Sequence, residues 1–388
     1  MKKENVTAVR EEGCNNGRMQ NLDMLRCLAM MLVVVLHYLG KGDILSELTD
    51  THMSLTEGAA WFLEALAIVA VNVYMLLSGY FVSTGRFKLS RLLKLWLQLE
   101  FYSLVVGGLA IVTNLVPGDD INTYFLLGLI FPVSMGHYWF MTAYIYLYIL
   151  LALISPILDK LEKKQWHVIL GLLFTVFSLV KSVVPVRFEL DELGYDCLWY
   201  LCMFMLGAYI RRYGLPVLTG KLRGALAYVG GATLIFAGTM LMRRVYLATG
   251  SLSYILKFLY DYNHILNVIA ALGLFAWFLH MQVPGGLGAL AGKLAPYTLG
   301  VYLLHENQAI RYLWPKWLGA DAVNTVNGLL ASTLIACVIV FALGIAVDKL
   351  RTVIMAGLHK VLLKWSLYSR LCVAVYDCDR LMSGNDKE

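Results

Sequence analysis

An arginine and a histidine stand inside the first apolar stretch of the chain, LDMLRCLAMMLVVVLHYLG over 22–40: Arg26 and His37, eleven positions apart. On an α-helix eleven residues turn about 20° past three full turns and rise about 16.5 Å, so both side chains leave one face at two depths. Ionisable groups are costly inside a membrane helix and mark candidate sites. The plain alternative is a snorkelling arginine and a hydrogen-bonded packing histidine. A second such pair, His305 and Glu306, falls in a later apolar stretch. Neighbouring positions project from different faces, so the two need not touch. A buried Glu306 has to be paired or protonated; Arg311, five residues on, is poorly spaced for it, and a partner on another helix is expected. Tyr302, three before His305, can donate a hydrogen bond from the same face.

Other residues suit recognition. Arg86, Lys88, Arg91 and Lys94 precede an apolar run, and the last three, at three-residue spacing, lie along one helical ridge suited to phosphate oxygens. Ordinary loop charge is the alternative. Ser78 and Gly79 end the preceding stretch, where glycine permits close approach of a thin ligand or of another helix. His137, Trp139, Glu64, Asp261, Asn263 and His264 sit near outer helix ends, where an interfacial Trp is expected anyway and solvated boundary residues are ordinary. Asp23, three before Arg26, can hold its guanidinium. Seven cysteines without a C-x-x-C pair give no metal framework. Cys27, Cys202 and Cys337 read as packing residues, and Cys372 and Cys378 as weak candidates for acylation.

The elements that must position these groups follow from composition. Of the 388 residues 59% are apolar and 15% charged, against about 25% charged in soluble domains; this excludes a soluble enzyme, a disulfide scaffold and a disordered chain. The net charge of +6 is explained by basic cytoplasmic loops, so nucleic acid is not an expected partner. Apolar runs predict ten spans, near 22–40, 59–82, 95–116, 138–158, 166–185, 197–210, 224–242, 263–281, 294–313 and 327–347. A shorter run at 123–135 is expected to be re-entrant or interfacial. With the N-terminus inside, 24 of the 32 Lys and Arg residues fall on the cytoplasmic side, which makes both termini cytoplasmic. Outer loops carry acids instead, at Asp43–Glu57, Asp119, Asp120, Glu189, Asp191 and Glu192. The first 20 residues, with Lys2, Lys3, Arg10 and Arg18, do not read as a cleavable signal. Hence an all-α integral membrane protein of the cell (inner or plasma) membrane is expected, with no soluble domain: a tail over 1–21, a ten-helix membrane domain over 22–349, and an amphipathic helix and tail over 350–388 against the inner leaflet. Partners at this level are membrane lipids, and the chain is free to oligomerise.

Four ordered stretches carry a resemblance: LDMLRCLAMMLVVVLH (22–37), VNVYMLLSGYFVSTGRFKLSRLLKLW (71–96), HYWFMTAYIYLYILLALISPIL (137–158) and YTLGVYLLHE (297–306). Together they resemble the membrane acyltransferase-3 family, whose members move acyl groups, usually acetyl, onto cell-surface glycans and similar acceptors. The resemblance implies acetyl-CoA or another acyl-CoA as donor substrate, with no permanently bound cofactor, and a sugar, glycan or lipid-linked saccharide as acceptor. It implies Arg26, Arg86, Lys88, Arg91, Ser78 and Gly79 on the donor side, with Lys88 where arginine is usual. It implies His37 as general base or transient acyl carrier, with Arg26, His305 and Glu306 assisting. His137, Trp139, Tyr302, Glu64 and His264 are then expected toward the acceptor. A transporter would use the same intramembrane polar residues as a solute path, but no internal repeat of the transporter kind is evident. A lipid-linked glycosyltransferase would want acids poised in an outer loop, and Asp43–Glu57 is only a generic acidic stretch.

Overall fold

A computed structural model describes residues 14–15, 18–83, 85–185 and 192–383. The expected loop acids Glu189 and Asp191, and Lys2, Lys3 and Arg10, lie outside them. Apart from a two-residue pairing of β1 (Cys14–Asn15) with β2 (Arg18–Met19), the described residues are helical or irregular. The helices of eight or more residues are α1 (Gln20–Lys41), α2 (Leu55–Ala67), α3 (Ala70–Val82), α4 (Leu89–Val112), α5 (Thr123–Ile130), α6 (Trp139–Lys160) and α7 (Lys163–Phe174). They continue with α8 (Cys197–Tyr213), α9 (Lys221–Thr249), α10 (Ile265–Leu279), α11 (Gly285–Leu294), α12 (Thr298–His305), α13 (Val326–Leu362) and α14 (Ser366–Ser383). Among the described residues nine helical segments are long and apolar enough to cross a membrane. α8, at 17 residues, supplies the tenth expected span at its lower length limit. The eight-residue α5 is too short to cross.

Why these sequences make membrane helices shows in what they leave outside. Leu109, Leu153, Leu172, Leu234 and Leu334 are all more than half exposed, a ring of apolar surface that water would penalise and lipid does not. Between helices the drive is close packing, and glycine supplies it. A Cβ on Gly79 of α3 would strike the Phe204 carbonyl of α8, and one on Gly207 of α8 the Leu76 carbonyl of α3. Gly224 of α9 and Gly273 of α10 make the same reciprocal approach.

The boundaries differ from expectation at three places. The span expected over 294–313 runs from Gly285 to His305. Its glycine-rich start (GGLGALAGKL) is helical and lies close against α1, where a Cβ on Gly288 would strike the Gln20 side chain. Its end comes early because Glu306 caps the helix and the chain turns back through 307–313. The span expected over 263–281 is preceded by 3₁₀ turns at Ser253–Ile255 and Phe258–Tyr260 and by non-helical residues up to His264. Finally, α13 continues unbroken to Leu362, across the division expected at 349–350, and the separate terminal helix is α14, which packs beside α4, the Ser90 N–H donating to Asp379 Oδ1 at 3.2 Å.

Candidate active site

The face of α1 carrying Arg26 and His37 borders a cavity of about 260 Å³. Chain direction fixes which residues share each end. α1 begins near the end of α10, where Asn21 Nδ2 donates to the Phe278 carbonyl; Ser78 lies about one turn before the end of α3, whose Phe81 ring faces Arg26, and Arg91 is in the first turn of α4. Arg26, Ser78 and Arg91 therefore line one end. His37, Trp139, Phe140, Tyr262 and Tyr302 line the other, with Met30, Val33, Val71 and Leu299 between. Both cationic side chains of the lining lie at the first end. There Arg26 is 3.6 Å from Asp23 and 5.5 Å over the Phe81 ring, and Arg91 lies 5.4 Å over Tyr148. Arg18 also pairs with Asp23, which raises the affinity of that guanidinium for its proton.

At the second end the two histidine-bearing helices meet. His37 Nδ1 lies 2.8 Å from His305 Nε2 and 3.2 Å from Glu306 Oε2. His305 Nδ1 lies 2.6 Å from the Val301 carbonyl oxygen, which can only accept, so Nδ1 carries the proton. In a neutral His305 the Nε2 then accepts, and His37 must donate from its own Nδ1. This chain leaves the His37 Nε2 lone pair free, on a ring that lines the cavity. Glu306 is 2% exposed and is surrounded by cations: Lys41 Nζ bonds to Oε2, and Arg311 Nη1 stands 3.6 Å from Oε1. A carboxylate so placed stays available as counter-charge for a His37 imidazolium.

The structure gathers the expected His37, His305 and Glu306 and adds two further residues to them. His37, His305 and Glu306 do form one cluster, although 305 and 306 are neighbours, because the helix ends between them. Arg311 does reach Glu306, since the turn after 305 folds it back. Lys41, four residues after His37 and so on its face, joins the cluster through Glu306, and that i,i+4 spacing is its signal in the sequence. His37, His305 and Glu306 place three ligand atoms within 4.8 Å. However, zinc-bound nitrogens at about 2.0–2.1 Å from a tetrahedral metal lie about 3.3 Å apart, and these two lie at hydrogen-bonding distance. With Lys41 and Arg311 already on the carboxylate, the set fits proton movement better than a dication.

The remaining candidates scatter. Trp139 stacks on Tyr262 at 5.9 Å and tilts onto Tyr195 at 4.6 Å, forming an aromatic wall. Tyr302 lies 6.4 Å from the His37 ring between centroids. His137 sits apart from the cavity lining, against Tyr124 and Gly128, and its carbonyl accepts from Arg311; burial, then Arg311, lowers its pKa. Glu64 stands behind the wall, within electrostatic reach of Tyr262, with Oε2 making no hydrogen bond among the described residues. His264 is a helix cap: its Nδ1 accepts from the Leu266 amide at 3.2 Å, and it too lies off the cavity. Gly79 faces α8, not the cavity, so its smallness serves helix packing. Arg86, Lys88 and Lys94 are exposed around the start of α4, and of this basic group Arg91 alone lines the cavity.

A polytopic helical membrane protein with a histidine–carboxylate cluster at one end of an internal cavity and arginines at the other is the class that fold and site define. A family model described as an acyltransferase domain matches residues 19–349, from before Arg26 to beyond Arg311, and the chain belongs to the acyltransferase-3 family. No curated protein and no solved structure matches the chain.

Proposed function

We propose that the protein is an O-acyltransferase that receives acyl-CoA, acetyl-CoA above all, at the Arg26 end and acylates a hydroxyl of a sugar or saccharide precursor at the His37 end. The observation that carries this is the bond chain Val301–His305–His37, which leaves an unprotonated His37 Nε2 on the cavity. Arg26 and Arg91 suit the donor's phosphates, with Arg86 and Lys88 adding charge outside the mouth. The apolar middle suits the uncharged arm bearing the thioester, whose carbonyl would come beside His37. The acceptor hydroxyl, against Trp139 and Tyr302, gives its proton to His37 Nε2 as its oxygen bonds to the thioester carbon. The tetrahedral species collapses by breaking the C–S bond, and the imidazolium returns the proton to the departing thiolate, giving ester and free thiol. Glu306, paired with Lys41 and Arg311, stabilises the imidazolium between these steps. The aligned axis lets donor and acceptor approach from opposite faces of a cell membrane, the donor from the cytoplasm.

The test separates this from transport. Acetyl-CoA is expected to raise the melting temperature of the detergent-solubilised protein and to be turned over to free coenzyme A. Neither effect, combined with solute uptake into vesicles, would establish a permease instead.

A further inference from the structure

One buried cation has no part in that mechanism. Lys181 is 1% exposed, directly after a full π-helical turn at Thr175–Val180 that succeeds α7. A π turn inserts a residue and so rotates every later side chain around the helix axis, and such turns recur at functional sites. Here the rotation brings Lys181 Nζ to 3.2 Å from Asp261 Oδ2.

Asp261 begins a stretch that is not helical although it lies within an apolar span (Ser253–Leu279). Irregular backbone at membrane depth is tolerated where protein buries it and where it lines a cavity, and its polar groups must then be met from elsewhere. They are. Asn72 Nδ2 donates to the Tyr262 carbonyl at 2.7 Å, the Tyr262 amide donates to Leu193 O, and Asn267 Nδ2 donates to the Asp261 carbonyl. Ser182, next to Lys181, accepts from the Ile265 amide at 2.8 Å. The residue these bonds present to the cavity is Tyr262, stacked on Trp139.

We infer that Lys181 is a positioning residue for the acceptor: through Asp261 it fixes the irregular stretch that sets Tyr262 against Trp139 at the His37 end. The inference rests on the acyltransfer reading for the word acceptor, but the pin itself does not. Removing Lys181 breaks the tie between Asp261 and the helix that carries Lys181, and the irregular stretch that carries Tyr262 is then freer to open locally.

The test uses the full chain in lipid nanodiscs, with Lys181→Met, the isosteric Asp261→Asn, and Lys181→Arg as conservative variant. Amide hydrogen exchange over 258–268 is expected to quicken about tenfold or more in Lys181→Met and Asp261→Asn, since the stretch opens locally. With acetyl-CoA as donor and methyl glucoside as acceptor, the ratio of sugar acylation to hydrolysis is expected to fall about tenfold, as misplacement of a reactant does. KM for acetyl-CoA stays unchanged, and Lys181→Arg restores both readouts. Unchanged exchange overturns the pin. A rise in acetyl-CoA KM parallel to the acceptor loss overturns the positioning role in favour of general loosening. A wild-type chain that turns over no acetyl-CoA refutes the acyltransfer reading instead, and exchange then decides the pin alone.

Discussion

Replacing Glu306 with glutamine keeps the shape of the side chain and removes its charge. In the wild-type chain the carboxylate stands 3.2 Å from His37 Nδ1. At an effective dielectric of about 20, unit charges at that distance attract by about 5 kcal/mol, a term present only while His37 is protonated, which is during transfer. The variant also leaves Lys41 and Arg311 facing the new imidazolium with no negative charge between. The expected loss in kcat is therefore on the order of 10³-fold or more, since each 1.4 kcal/mol is about a factor of ten. KM for acyl-CoA should hold, because Arg26 lies about 16.5 Å along α1 from His37. Lys41→Met added to Glu306→Gln removes a partly buried cation that has lost its carboxylate and should recover thermal stability, while most of the rate loss remains, since His37 still lacks its counter-charge. The assay is release of free coenzyme A by purified variants in nanodiscs, with melting temperature measured beside it. A Glu306→Gln enzyme within threefold of wild type, or one whose rate returns with Lys41→Met, would refute the counter-charge role and leave Glu306 a structural tie.

The geometry carries three more expected outcomes. Arg91→Ala should raise KM for acyl-CoA about 10- to 100-fold through loss of one charge-assisted hydrogen bond, with kcat unchanged in the same assay. Gly79→Val drives a side chain into the Phe204 backbone and should cost about 1–3 kcal/mol or more, seen as a lower melting temperature; an unchanged melting temperature would refute the packing role. His137, whose folded-state pKa lies below its ordinary 6.5, is neutral in both states at high pH. Its unfolded form takes the proton first as pH falls below that value, so stability declines from there down to the folded pKa; His137→Gln should flatten the melting-temperature profile on the acid side of 6.5.

The helices and the Arg26–His37 axis were legible because both rest on local rules, apolar length and 3.6-residue periodicity. The cluster around His37 was not, for a nameable reason. Pairing of Glu306 with Arg311 depends on the helix ending at His305, and the sequence there, LLHENQAIRYLW, reads as apolar enough to continue. Lys41 was hidden by position: at the end of a span a lysine looks like an interfacial anchor, although its i,i+4 relation to His37 was plain. His264 shows the opposite failure, an intramembrane histidine that caps a helix. Lys181 escaped because a π turn shifts the face on which an α-helical count would place it. The aromatic wall joins residues 139, 195 and 262, a juxtaposition no local pattern contains.

The central claim, transfer of an acyl group at His37, is met most directly by following labelled acetyl from acetyl-CoA enclosed in proteoliposomes to a saccharide supplied outside, with wild type and His37→Ala compared. The account predicts labelled saccharide from wild-type vesicles whose donor end faces inward, and none from His37→Ala, although that variant is folded and still binds acetyl-CoA. Equal labelling by the two proteins would contradict it.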